Sequence, residues 1–87
     1  MGRTVFPVRI EVVGYSGYKA DERPLCFVLE GRELRVKDVL DRWYGEEHDY
    51  FKVLAEDGKA YLIRRHRILD QWFVVKIMDS EHKPIGS

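Results

Sequence analysis

The chain has 87 residues, with 15 Lys and Arg against 15 Asp and Glu, so it carries no formal net charge. Hydrophobic residues make up 45% and aromatic residues 13%, which excludes a disordered chain. The length supports one domain, bulk neutrality argues against a uniformly basic nucleic-acid or membrane binder, and one cysteine, Cys26, excludes an internal disulfide.

Met1 to Pro7 shows no apolar run after a basic start, so no secretory signal is expected. Val8, Ile10 and Val12 alternate with Arg9 and Glu11, the period of a half-buried strand. Gly14 to Gly17 breaks the pattern, and residues 14–24 form a polar connection ending at Pro24. Leu25 to Leu29 and Arg32 to Val36 read as a hairpin closed by Glu30-Gly31, with glycine supplying positive φ. That register sets Leu29 against Arg32, Val28 against Glu33, Phe27 against Leu34, Cys26 against Arg35 and Leu25 against Val36. Leu25, Phe27, Leu29, Leu34 and Val36 then share the core face, while Cys26, Val28 and Glu33 point outward.

Residues 36–43 allow two readings. Val36, Val39, Leu40 and Trp43 have helical spacing. The segment also continues a strand without a cap, and a bulge near Lys37-Asp38 would shift the apolar phase by one. The bent strand is preferred, because in a small barrel one strand must serve both sheets.

Gly45 to Asp49 reads as a loop and Tyr50 to Ala55 as a strand. Asp57-Gly58 reads as a two-residue turn with both residues at positive φ. Glu56 would then face Lys59, Leu54 would face Tyr61, Val53 would face Leu62 and Lys52 would face Ile63. Arg64 to Gln71 reads as a polar connection, and Trp72 to Met78 as the last strand, with Phe73, Val75 and Ile77 on one face. The longest apolar runs, such as Trp72 to Val75, fall far short of the ~20 residues of a membrane helix, and no membrane partner is expected. Residues 1–78 are expected to form one β-barrel domain and residues 79–87 a flexible tail.

Five or six short, mostly antiparallel strands joined by tight turns predict an all-β barrel, because closure removes exposed edges. An SH3-like barrel is the first choice. An OB-like barrel, a small sandwich, or a rolled sheet with one short helix at 36–43 are the alternatives.

Little points to catalysis. No Ser or Cys stands with a His in a nucleophile motif, and Cys26 reads as a small filler thiol. Glu46, Glu47, His48 and Asp49 are neighbours in a loop, a poor geometry for one metal ion. No glycine loop of phosphate-binding spacing is present. No catalytic residue, metal or cofactor is expected.

Two segments stand out as binding candidates. The loop at 15–24 gathers Tyr15, Tyr18, Lys19, Asp21, Glu22 and Arg23. Exposed ion pairs add little stability, about 0–1 kcal/mol, so such a cluster suits recognition of a polar partner, although mutual pairing could simply order the loop. The run Arg64-Arg65-His66-Arg67 could instead grip phosphates, with Lys52 and Tyr61 beside it. Its alternative is a strand end whose arginines answer the acidic segment at 46–49.

The run Gly17-Tyr18-Lys19-Ala20-Asp21-Glu22-Arg23-Pro24 resembles one in a family of small uncharacterised bacterial proteins. Phe27, Gly31-Arg32, Val39 to Trp43, Tyr50-Phe51, Asp57-Gly58, Tyr61-Leu62 and Trp72 look similar as well. Residues 24–76 also resemble a β domain appended to some bacterial proteins related to error-prone DNA polymerases. The first resemblance implies no activity; the second adds modest weight to nucleic acid. Ile68 and Leu69 depart from the tight polar turn expected before Trp72.

The resulting expectation is a cytoplasmic, non-enzymatic interaction module, a monomer or weak homodimer. Its favoured partner is a protein contacted through the 15–24 loop. Weak, salt-labile nucleic-acid binding through Lys52, Tyr61, Arg64, Arg65 and Arg67 is the alternative, and a small-ligand site at the 15–24 loop is the third reading.

Overall fold

The computed structural model describes residues 5–16 and 23–79. Among the described residues eight strands follow in chain order: β1 (Val8–Val12), β2 (Tyr15–Ser16), β3 (Arg23–Pro24), β4 (Cys26–Leu29), β5 (Arg32–Tyr44), β6 (His48–Ala55), β7 (Lys59–His66) and β8 (Gln71–Asp79). Six of them close an antiparallel barrel in the order β1-β4-β5-β6-β7-β8, and β2 and β3 form a separate two-stranded sheet. Strand β1 closes the ring by pairing with β8 through Val8–Ile10 and with β4 through Glu11–Val12. Phe27, Phe51, Val53, Tyr61, Ile63 and Val74 fill the interior.

The β4–β5 hairpin has the register that its turn dictates. Glu30 and Gly31 both have positive φ, 51° and 84°, and Cys26 to Leu29 pair with Arg35 to Arg32. Phe27, Leu29, Leu34 and Val36 are buried, and Glu33 is exposed. Leu25 departs from expectation: it lies outside β4 and is 41% exposed. The chain bends between β3 and β4, Pro24 takes the buried position, and Leu25 lies beside Gly14 instead.

Residues 36–43 are strand. The 13-residue β5 pairs with β4 through its first part and with β6 through the rest, with register shifts at Val36/Asp38 and Val39/Asp41. The first is the bulge expected near Lys37-Asp38. It brings Val36 and Val39, three residues apart, onto the same face, which is why the apolar spacing mimics a helix. At each bulge an aspartate accepts a hydrogen bond from the next amide: Asp38 from Val39 and Asp41 from Arg42, both 2.9 Å.

Three boundaries differ from the sequence reading. The loop after β5 is shorter than 45–49, because His48 and Asp49 already belong to β6. Arg64, Arg65 and His66 belong to β7 rather than to a connection. The Asp57-Gly58 turn is also one residue longer than expected. Gly58 has φ 85° but Asp57 does not have positive φ, and Gly58 N donates to Ala55 O at 3.0 Å. Asp57 Oδ1 accepts from Lys59 N at 3.1 Å, an Asx-type closure. Val53 therefore faces Tyr61 and Phe51 faces Ile63, all four buried. The expected register would have set Lys52 beside Ile63 on the core face; the extra loop residue keeps Lys52 outside.

In β8 a register shift opposite Leu62/Ile63 changes the phase in mid-strand. Trp72 and Val74 are buried, and Ile77 packs on the core from beyond the shift. Phe73 and Ile77, expected on one face with Val75, are thereby separated: Phe73 faces outward with Arg64 while Ile77 faces the core. Among the described residues no helix is long and apolar enough to cross a membrane.

Candidate functional site

Of the 15–24 loop candidates, Tyr18, Lys19, Asp21 and Glu22 lie outside the described residues. Tyr15 and Arg23 lie on the two-stranded sheet, where Ser16 pairs with Arg23. Tyr15 packs edge-on against Trp72, ring centroids 5.5 Å apart, and the Arg65 guanidinium lies 5.3 Å from the Tyr15 ring and 5.5 Å from the Trp72 ring. Tyr15 is thus an anchor of the small sheet on the barrel. Arg23 borders a surface depression formed with Val13, Leu25, Cys26, Arg35 and Val36.

The basic run divides. Strand alternation turns Arg65 inward, and the turn after β7 carries Arg67 back over Asp49. Asp49 is 3% exposed and is the one buried charged residue among those described. Arg67 donates to the Asp49 carboxylate and to the carbonyls of Gly45, at 2.9 Å, and Glu46. Arg65 lies 3.9 Å from Asp49 and donates to Asp70 at 3.2 Å. Two of the three arginines therefore answer acidic groups of the protein itself. Tyr61 is buried too, its hydroxyl donating to Asp57 at 2.5 Å, so it offers no ring for stacking. Burial, then the Asp57 carboxylate, pushes its pKa up.

Arg64 and Lys52 are different. Alternation along β6 and β7 places both on the outer face of the barrel, and along β8 it does the same for Phe73 and Lys76. The register joins Trp43, Tyr50, Arg64 and Phe73 into one row across β5, β6, β7 and β8. Trp43 and Tyr50 stack face to face, 5.4 Å between centroids and 8° between planes. The Arg64 guanidinium lies 5.5 Å from the centre of the Phe73 ring. A second row sets Lys52, Leu62 and Lys76 side by side, with Asp41 opposite Lys52 on β5. A third brings His48 and His66 together, 4.8 Å apart and edge to face.

Among the described residues, the outward positions of β6, β7 and β8 between these rows carry no carboxylate. Lys52, Arg64 and Lys76 make no ion pair there. Burial, then the charge of Arg64 and the neighbouring His66, lowers the pKa of His48, and Glu47 opposes this. His66 accepts from Leu69 N at 3.1 Å and lies 3.7 Å from Glu47.

Sequence reading found Lys52 and Arg64 but missed Trp43, Phe73, Lys76 and His48 as members of one face. The usable signal was period-two alternation through Arg64-Arg65-His66, hidden once that stretch was read as a connection. Cys26 Sγ donates to Glu33 at 3.4 Å; burial, then Glu33, raises its pKa, the reverse of an activated thiol. No group of three or more His, Cys, Asp or Glu that could hold a metal ion occurs among the described residues.

In comparison with known proteins, the chain matches no family model, no curated protein and no solved structure.

Proposed function

We propose that the chain is a non-enzymatic interaction module that binds an anionic macromolecule through the outer face of β6, β7 and β8. The observation that carries this is charge segregation within a neutral chain: among the described residues, Lys52, Arg64 and Lys76 make no ion pair, and the outward positions of β6, β7 and β8 around them hold no carboxylate. The remaining arginines of the basic run are neutralised by Asp49 and Asp70. An evenly solvated surface would mix the two signs, and a cluster of one sign raises the local concentration of its counter-ion. The lone cysteine suits a reducing compartment such as the cytoplasm.

The test is binding to heparin, a polyanion without bases, at low and rising salt. Lys52→Glu, Arg64→Glu and Lys76→Glu together should abolish retention. A matched variant reversing the exposed Arg9, Arg35 and Lys37 changes net charge equally on other parts of the barrel and should retain it. Equal retention of both variants, or none by the unaltered protein at low salt, overturns the proposal.

A further inference from the structure

We infer that the anionic partner is single-stranded nucleic acid, its bases stacking along the Trp43–Tyr50–Arg64–Phe73 row and its phosphates meeting Lys52, Arg64 and Lys76. The inference rests on the anion-binding reading and adds the partner's chemistry. Charge alone would suit heparin, a duplex or an acidic protein equally well. The rings separate them. Cross-strand packing accounts for Trp43 lying on Tyr50, at about 0.2–1 kcal/mol for such a pair. It does not account for a 41%-exposed tryptophan on a face where, among the described residues, Lys52, Arg64 and Lys76 make no ion pair and the one neighbouring carboxylate, Asp41 on β5, accepts from the Arg42 amide instead.

The order along the row is the one that stacking needs. A flat aromatic pair lies at one end, and a guanidinium over a ring lies at the other. Bases stack on aromatic rings and on arginine planes alike. The buried Arg64 Nε makes no hydrogen bond, so ring contact holds the group in place. Three strand spacings of about 4.8 Å make the row about 14 Å long, enough for a few nucleotides laid across the strands. Lys52 and Lys76 flank it in the adjacent row, where a phosphate backbone would run. A duplex keeps its base faces stacked inside and could use the cations but not the rings.

The experiment is fluorescence anisotropy with a labelled oligothymidylate, a duplex of equal length, and unlabelled heparin and polyglutamate as competitors. The single strand should bind more tightly than the duplex. With about three phosphate contacts, affinity should fall roughly 20-fold between 50 and 200 mM salt, given a slope of about −0.7 per contact. Trp43→Ala should weaken the single strand by roughly 10-fold or more, the loss of about one stacked base, and leave heparin retention unchanged. Trp43→Phe should restore most of the affinity. In the unaltered protein the single strand should quench Trp43 emission, which gives a readout even if Trp43→Ala fails to fold. Equal binding of single strand, duplex and heparin without quenching overturns the inference while the anion-binding reading stands. Polyglutamate that outcompetes the single strand points to an acidic protein and overturns it too. If nothing anionic binds, both fall.

Discussion

Arg67 reaches back from the turn after β7 to hold the buried carboxylate of Asp49 on β6, and the same guanidinium satisfies the carbonyls of Gly45 and Glu46. One side chain thereby ties the β5–β6 loop to the β7–β8 turn, a link reinforced where Arg67 N donates to Glu47 O at 3.0 Å. A carboxylate that is 3% exposed requires such a partner, because burying an unpaired charge is costly.

Removing Arg67 should therefore be expensive. A broken buried pair costs about 3–5 kcal/mol. The Arg67 side chain is 39% exposed, and Arg65 remains near Asp49, so Arg67→Ala should cost less, about 2 kcal/mol. Arg64→Ala, three residues away, should cost under about 1 kcal/mol, the loss of one cation–ring contact. Urea denaturation of the two variants measures the difference. Equal midpoint shifts would contradict the division of this basic run into a structural and a surface part.

Where local chemistry admitted one solution, the fold was legible in the sequence. Glu30-Gly31 between two apolar alternations defined the β4–β5 register, and the need for one strand to serve two sheets identified β5 as bent. Legibility ended where two solutions share the same residues. Asp-Gly closes both two- and three-residue hairpin loops, and the Asp57 side chain selects the longer by accepting from Lys59 N. The core pattern could have decided it, since the shorter turn would set Lys52 beside Ile63 on the core face. The candidate face was half legible: Lys52 and Arg64 were visible as cations, but the row that joins Arg64 to Trp43, Tyr50 and Phe73, with Lys52 in the row beside it, exists only in the register of four strands. The charge pattern offered the arginines of the basic run as partners of the acidic segment at 46–49, but which arginine meets which carboxylate is decided only by the closure of β6 on β7, which brings Arg65 and Arg67 to Asp49, 16 and 18 positions away.

Gly58 provides a test of the longer turn. Its φ is 85°, and a Cβ added there would meet nothing within 4 Å. The cost of Gly58→Ala is then purely conformational, about 1 kcal/mol. Gly58→Asn should cost less, because asparagine enters the left-handed region more readily. A thermal melt of both variants checks the order; an alanine variant as stable as the parent would mean that residue 58 does not need positive φ.

Tyr61 should make the protein alkali-sensitive. Its folded pKa is raised, by burial first and then by the Asp57 hydrogen bond and charge. The unfolded phenol ionises near 10. The stability contributed by the neutral hydroxyl is therefore fully present below about pH 10 and is lost as pH rises toward the folded value. Tyr61→Phe should cost about 1 kcal/mol at neutral pH, one hydrogen bond, and should flatten the fall above pH 10. An unfolding midpoint that declines equally in both proteins would assign the alkaline loss to other groups.

His48 carries the opposite dependence, at the acidic end. Its pKa is lowered in the folded protein by burial first, then by Arg64 and His66, with a smaller push from Arg67 and an opposing pull from Glu47. The unfolded imidazole titrates near 6.5 and so takes up its proton first as pH falls. The unfolded state then binds more protons, and stability should decline as pH drops below about 6.5. His48→Gln should remove that part of the decline between about pH 7 and pH 5.5, above the range where carboxylates titrate. A bound polyanion reverses the local balance, because a phosphate beside His48 and Arg64 favours the charged imidazole. Oligothymidylate affinity should therefore rise over the same interval in which stability falls, and His48→Gln should weaken both trends. If the variant keeps the full pH slope of affinity, His48 lies outside the path of the bound strand.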